Sequence, residues 1–202
     1  MIPQILPGSA DEFRLLTDAV GGKGYRQIDI NLGCPFPMIA GKHKGAGMLL
    51  YPAQVAEVLA PIAEYPEIQF SLKMRLGWEN ASECMVLVEL LNALRLSRIA
   101  LHARTGKQQY KGHPDLEAFQ GFYELCQHPL YYNGGIESLS DIRQILIRFP
   151  LLKGVFIGRG LLSSPLLAKE FKGNETFLPE QRMSIYFAFH EELFSAYSQV
   201  LQ

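Results

Sequence analysis

One cysteine lies where a buried strand is predicted to end. Residues 28–35 begin as an apolar run typical of a strand and finish at Gly33-Cys34-Pro35, where glycine and proline indicate a loop. A basic, glycine-rich segment follows at residues 42–47. A thiol beside cations and exposed backbone N–H groups could act as an acid or a nucleophile near a phosphate-bearing ligand. Taken alone, however, a lone cysteine is more often a small buried side chain in a turn.

Polar residues or glycines stand at nearly every predicted strand end. In chain order they are Gln4, Asn31 with Cys34, Lys73 with Arg75, His102 with Arg104 and Thr105, Asn133-Gly134-Gly135, and Gly158-Arg159-Gly160. The carboxyl ends of parallel strands meet at the same edge of a sheet, and that edge carries the chemistry of parallel α/β proteins. We therefore expect these residues to form one site.

The residue types at this edge suggest a ligand with a phosphate and a polar ring. Glycines after the last two predicted strands would let backbone N–H groups approach a phosphate, and Arg159 would add a cation. Lys73 and His102 would lie deeper, where they could hydrogen-bond an anionic or carbonyl-rich ring. Each residue alone has an ordinary explanation, such as a solvated strand end or a core histidine. Their joint placement favours a binding site.

The rest of the chain alternates strands and helices. Apolar patterns predict strands at residues 2–6, 27–32, 68–74, 98–102, 130–133 and 154–158, and helices at 11–20, 53–65, 81–93, 116–127, 139–149 and 179–202. Repeated strand–helix units of this size indicate right-handed crossovers and a parallel sheet. Ser9 with Glu12 and Ser138 with Asp141 have the spacing of helix capping boxes. The last helix is predicted to be long and amphipathic.

The strand count leaves two architectures open. A closed (β/α)8 TIM barrel needs eight strands and roughly 250 residues, which is more than this chain offers. An open doubly wound sheet would carry an early Gly-x-Gly-x-x-Gly turn if it bound a dinucleotide, and the sequence lacks one. Polar groups at successive strand ends are more typical of the barrel.

Composition sets further limits. The 202 residues are 48% hydrophobic and 19% charged, with a net charge of -1, which is ordinary for a globular protein and argues against wholesale electrostatic binding to nucleic acid. Cys34, Cys84 and Cys126 are widely spaced, which predicts neither a disulfide framework nor a metal site. The first residues do not resemble a signal peptide, and no apolar run approaches the roughly 18 residues of a membrane span. A cytoplasmic protein without membrane contact is expected.

Several segments together resemble tRNA-dihydrouridine synthases. They are residues 29–35, 44–50, 71–77, 102–105, 109–112, 133–136 and 157–160, in the order and spacing of that family as far as about Phe171. The Asn-x-Gly-Cys-Pro element at Asn31 and the His-Ala-Arg-Thr element at His102 are specific in combination. The resemblance implies the TIM-barrel fold, bound FMN, and NADPH as the reductant.

The resemblance also implies a reaction and residue roles. Hydride would pass from reduced FMN to C6 of a uridine in tRNA, and Cys34 would give a proton to C5, yielding 5,6-dihydrouridine. The implied cofactor contacts are Gln4, Lys73 and His102 at the flavin ring and Asn133, Gly134, Gly135, Gly158 and Arg159 at the phosphate. The implied substrate contacts are Asn31, Arg104, Tyr110 and Lys44. The target base would have to leave its stack to reach the flavin.

The resemblance is incomplete at both ends. It implies an incomplete TIM-barrel domain over residues 1–172, without the first two strand–helix units, and the beginning of a helical tRNA-binding domain over residues 173–202. Unpaired sheet edges would then favour self-association.

Two other functions stay open. One is an FMN barrel oxidoreductase that acts on a free pyrimidine. The other is a non-catalytic barrel remnant that binds RNA without flavin, which salt-sensitive tRNA binding by a colourless protein would indicate.

Overall fold

A single parallel sheet organises the chain in the computed structural model, which describes residues 1–198. Its six strands are β1 (Gln4–Ile5), β2 (Gln27–Leu32), β3 (Gln69–Gly77), β4 (Leu96–Thr105), β5 (Leu130–Asn133) and β6 (Gly154–Phe156). They pair in parallel, each with the next in the chain, in the order β1-β2-β3-β4-β5-β6.

This strand order decides between the two architectures. A doubly wound sheet reverses its strand order part-way, so that helices cover both faces. Here every crossover advances in the same direction, and right-handed crossovers then leave the connecting helices on one face. That is the winding of a TIM barrel, with six strands present. Within residues 1–198, β1 and β6 each have one neighbour, so the sheet is not closed.

The two faces of the sheet differ in polarity. Ile28, Ile30 and Leu32 of β2 are buried in the core, as are the equivalent apolar residues of β3 and β4. The alternate positions of β2 and β3 are polar, and the register places Asn31 beside Lys73. Side chains two residues apart in a strand share a face, so the polar set faces away from the core.

Nine α-helices are assigned within residues 1–198, and the predicted ones are mostly confirmed. They are α1 (Ala10–Gly21), α2 (Pro37–Ala40), α3 (Pro52–Leu59), α4 (Glu83–Ala93), α5 (Leu116–Leu125), α6 (Leu139–Arg148), α7 (Arg159–Ser163), α8 (Leu167–Gly173) and α9 (Pro179–Ser198). Short 3₁₀ helices span Gly45–Leu50 and Ala60–Glu64. The sequence patterns did not predict α2, α7 or α8, which are too short to show a clear helical period.

Some predicted boundaries were wrong for identifiable reasons. The single helix expected over residues 53–65 divides at Ala60, where Pro61 cannot donate the N–H that would continue the α-helix. The capping box at Ser138 and Asp141 is confirmed. At α1 only half of the predicted box forms: Ser9 accepts from the Glu12 N–H, but the Glu12 carboxylate bonds to Gly8 and Lys44 instead.

The C-terminal helix α9 has few contacts with the rest of the chain. None of its residues is buried, although Glu170 of α8 forms an ion pair with Arg182 near its start. Its predicted last residues, 199–202, lie outside the described part of the chain. Over residues 1–198, no helix combines the length and apolarity needed to cross a membrane.

Candidate active site

A cavity of about 410 Å³ lies at the carboxyl ends of the strands. Of the residues expected at the site, only Lys44 and Thr105 are absent from its lining. The lining includes Gln4, Asn31, Cys34, Lys73, His102, Arg104, Tyr110, Asn133, Gly134, Gly135, Gly158 and Arg159. The volume lies within the roughly 300–1,000 Å³ range of small-molecule sites.

Hydrogen bonds to the backbone N–H and to the backbone carbonyl of Cys34 hold its loop in place. The Asn31 side-chain oxygen accepts the N–H groups of Gly33 at 2.9 Å and Cys34 at 2.8 Å. The Cys34 carbonyl accepts the Ala46 N–H at 3.0 Å. Gly45 has φ +57°, and a Cβ there would come within 2.8 Å of the Cys34 carbonyl oxygen, so the glycine-rich segment packs directly against the cysteine. The thiol itself is partly exposed at the cavity.

A chain of side-chain hydrogen bonds fixes the polar groups of the first strands. Asn31 Nδ2 donates to Gln4 Oε1 at 2.7 Å, and Gln4 Nε2 donates to Asp29 Oδ2 at 2.6 Å. The other oxygen of Asp29 accepts from Ser71 Oγ at 2.6 Å. The Gln4 amide therefore has its oxygen and nitrogen in defined positions, and each amide nitrogen keeps a second hydrogen to donate.

His102 is neutral, and its tautomer follows from its neighbour. Arg104 Nη1 lies 3.2 Å from His102 Nε2, and because a guanidinium only donates, Nε2 accepts and Nδ1 carries the proton. Burial, and then the positive charges of Arg75 and Lys73, lower the pKa of His102 to about 2. At neutral pH the ring can donate a hydrogen bond from Nδ1 without carrying a charge.

The cavity carries an excess of positive charge. Lys73, Arg75, Arg104 and Arg159 all line it, and none of them forms a salt bridge with any residue between 1 and 198. Burial, followed by the charge of Arg75, lowers the pKa of Lys73. Buried charges are usually paired, so this arrangement fits an anionic ligand.

Two glycines shape the turn after β5. Gly134 has φ +131° and Gly135 φ +63°, which side-chain-bearing residues rarely adopt. A Cβ at Gly134 would lie 3.0 Å from His102 Cδ2, so this backbone packs closely on the imidazole. Across the cavity mouth, the Arg159 guanidinium lies 4.5 Å from the centre of the Tyr110 ring.

One expected substrate contact lies outside the cavity, and one residue of the cavity lining had no contact assigned to it. Lys44 lies outside the cavity, where its ammonium contacts both carboxylate oxygens of Glu12 at 2.6 Å. Arg75 belongs to the cavity lining, although it was not among the expected cofactor or substrate contacts. The available signal was the Lys73-x-Arg75 spacing, which puts both side chains on the same face of a strand.

The sequence matches a family model described as dihydrouridine synthase over residues 4–201. The chain belongs to the dihydrouridine synthase family. The match extends beyond the motifs, which end near Phe171, into helix α9.

Individual family members give the extent of the similarity. A probable tRNA-dihydrouridine synthase from Rhizobium leguminosarum bv. phaseoli is 32% identical over 139 residues, covering 68% of this chain and 44% of the relative. tRNA-dihydrouridine synthase B from Vibrio vulnificus is 27% identical over 161 residues, covering 78% and 50%. The chain thus spans about half the length of these relatives.

A solved structure supports the fold of this dihydrouridine synthase family member. A probable mandelate racemase from Alicyclobacillus acidocaldarius superposes with a TM-score of 0.55 at 13% identity, over 90% of this chain and 43% of the other. At that identity the likeness concerns the fold alone. This likeness in fold and the sequential order of the strands, β1 to β6, both indicate an incomplete TIM barrel.

Proposed function

We propose that this chain carries the catalytic cavity of an enzyme that reduces uridine to 5,6-dihydrouridine in tRNA. The observation that carries the proposal is the convergence of the family's motif residues on one cationic cavity. The names of the relatives support tRNA as the substrate. Asn31, Cys34 and Tyr110 line the same cavity as Lys73 and His102, so the expected base contacts and the expected cofactor contacts share one space.

The residues present fit FMN. A phosphate would compensate cations that form no salt bridge within residues 1–198, and we assign it to Arg159 and to the backbone at Asn133, Gly134, Gly135 and Gly158. A Cβ at Gly158 would meet no atom within 4 Å, so its backbone faces open space. We assign the flavin ring to Gln4, Lys73 and His102, whose amide, ammonium and Nδ1–H can all donate to an electron-rich ring.

The protein's own part in the reaction is to position groups and to supply a proton. FMN, reduced with NADPH, would supply the hydride for uracil C6. Cys34 would hold the proton for C5 at the end of β2, on a backbone fixed by Asn31 and Ala46. A positioned thiol can act as a general acid and give its proton to a reacting carbon. Asn31 would orient the base through its second amide hydrogen, and Arg104 and Tyr110 would line the base side.

We propose that two parts of the chain have different roles, one in catalysis and one in tRNA binding. Residues 1–172 would form the barrel part, and residues 173–202 would begin a helical tRNA-binding part, consistent with the absence of buried residues in α9. Lys44 is neutralised by Glu12 of α1. The exposed Lys42 and Lys111 are better placed to meet tRNA phosphates.

The first experiment is the visible absorbance spectrum of the purified chain before and after FMN addition and gel filtration. Retained flavin bands are expected, and the loaded protein should then form dihydrouridine in unmodified tRNA but not from free uracil. Turnover of free uracil would assign a small-molecule reductase instead. A colourless protein that takes up no FMN but binds tRNA in a salt-sensitive way would overturn the proposal in favour of an RNA-binding remnant.

A further inference from the structure

Arg75 is the largest fully buried side chain in the described part of the molecule. It lies near the end of β3, and its guanidinium donates to three backbone carbonyls. Nε donates to Gly33 at 3.0 Å, and Nη1 donates to Thr105 at 2.8 Å and to Gln109 at 2.7 Å. Gly33 lies in the loop after β2, whereas Thr105 is the last residue of β4 and Gln109 lies in the loop that follows it.

Both loops carry a residue of the proposed chemistry. Gly33 directly precedes Cys34, and Gln109 directly precedes Tyr110. Gln109 is held at φ +52°, an uncommon backbone conformation for a residue with a side chain, and its carbonyl bonds to Arg75. The Tyr110 ring centre lies 5.5 Å from Arg75 Cζ. One guanidinium therefore contacts the residue before the thiol and both residues at the tip of the opposite loop.

Arg75 is a buried charge without a carboxylate partner. It is 1% exposed and forms no salt bridge within residues 1–198. An apolar side chain of similar length would avoid the desolvation penalty of the charge, but it would leave the carbonyls of Gly33, Thr105 and Gln109 without this donor. An apolar side chain also could not connect the two loops by hydrogen bonds. The planar guanidinium of arginine can, because its N–H groups point in several directions and reach carbonyls on different sides at once.

We propose that Arg75 is a positioning residue that fixes the Cys34 loop relative to the Tyr110 loop, so that the thiol and the base-side residues keep one mutual geometry. The proposal rests on the proposed function in that it takes Cys34 as the proton donor. The proposal requires that hydrogen bonds from one side chain restrict the motion of both loops. That restriction can be measured without flavin or tRNA.

The test is amide hydrogen exchange, followed by mass spectrometry, on the chain without added flavin. Arg75→Met should accelerate exchange by about tenfold or more at Gly33 and Cys34 and also at Gly106, Gln109 and Lys111, since charge-assisted bonds to both loops are lost. Exchange within β2 and β5 should change much less than exchange in the two loops. Arg75→Lys should give an intermediate increase, because an ammonium cannot reproduce the fork.

Arg95→Met is the matched control. Arg95 also donates to backbone carbonyls, at Tyr65 and Pro66, but it lies before β4 at the opposite edge of the sheet. This variant should leave exchange in both active-site loops unchanged. Alkylation of Cys34 by iodoacetamide, measured peptide by peptide against buried Cys84, should change in Arg75→Met and not in Arg95→Met.

Wild-type exchange in both loops of a folded Arg75→Met protein would overturn the proposal. Acceleration in only one loop would overturn the coupling between them. If Arg75→Met does not fold, Arg75→Lys decides: raised exchange confined to both loops supports the coupling, and unchanged exchange refutes it. Failure of the proposed function would show separately, as absence of FMN uptake by the wild-type chain.

Discussion

The neutrality of His102 predicts a specific loss of stability in mild acid. In the folded chain its pKa is about 2, against a usual value of 6.5 for the unfolded chain. Between these values the unfolded state binds a proton that the folded state does not, so the free energy of unfolding falls as the pH falls. The stabilising contribution is fully present above pH 6.5 and decreases below it.

The magnitude follows from the interval between the two pKa values. A pH of 5 lies 1.5 units below the pKa of the unfolded histidine. At that pH the unfolded histidine is almost fully protonated, while the folded one stays neutral. At about 1.4 kcal/mol per unit, lowering the pH from 7 to 5 removes about 2 kcal/mol of unfolding free energy through this one residue. Other groups contribute as well, including Glu12, whose pKa is lowered by Lys44.

The assay is urea unfolding of the flavin-free chain at pH 7 and pH 5, compared with His102→Gln. The glutamine side-chain oxygen lies at the ε position, as Nε2 of the histidine does, so it can still accept from Arg104, and the side chain does not titrate. Contributions of all other groups are common to both proteins, so wild type should lose about 2 kcal/mol more than the variant. An equal loss in both would show that folded His102 takes up a proton, and would refute its assignment as a neutral donor.

Three further variants test the site and the fold. Cys34→Ala should keep FMN bound and abolish dihydrouridine formation in tRNA, and wild-type turnover would remove Cys34 as the proton donor. Arg159→Ala should weaken FMN binding, since a charge-assisted bond contributes about 1.5–3 kcal/mol, or roughly 10- to 150-fold in Kd. Unchanged FMN affinity of this variant in a fluorescence titration would exclude Arg159 from the phosphate site. Ser138→Ala should lower the unfolding free energy by about 1 kcal/mol through loss of the α6 cap, with Ser140→Ala as a less affected control; equal losses would contradict the capping argument.

The sequence allowed the cavity to be predicted because strand ends obey a simple geometric rule. Lys73, His102 and Asn133 come from different strands, yet parallel pairing places them at one edge whatever the details of the loops. The strand order could not be read from local patterns, since a six-strand alternation is compatible with either winding. It required the pairing of β1 through β6 to be seen.

Contacts between distant segments were beyond the sequence for a different reason. The bonds from Arg75 to Gly33 and Thr105 join residues 42 and 30 positions apart, and no periodicity encodes them. The ion pair of Lys44 with Glu12 spans 32 positions and holds the ammonium of an expected substrate contact against α1, outside the cavity. Short helices such as α7 were missed because a single turn carries too few residues to display a period.

The strictly sequential strand order has a consequence for how the molecule can be divided. Within residues 1–198, every strand is hydrogen-bonded only to its neighbours in the chain, so each strand–helix unit depends mainly on the unit before and the unit after it. In this respect the architecture resembles that of repeat proteins, in which each unit is stabilised mainly by contacts with the adjacent units. Two separately expressed pieces, cut in the exposed turn at Gly24 between α1 and β2, should therefore be able to reassemble by pairing β1 with β2.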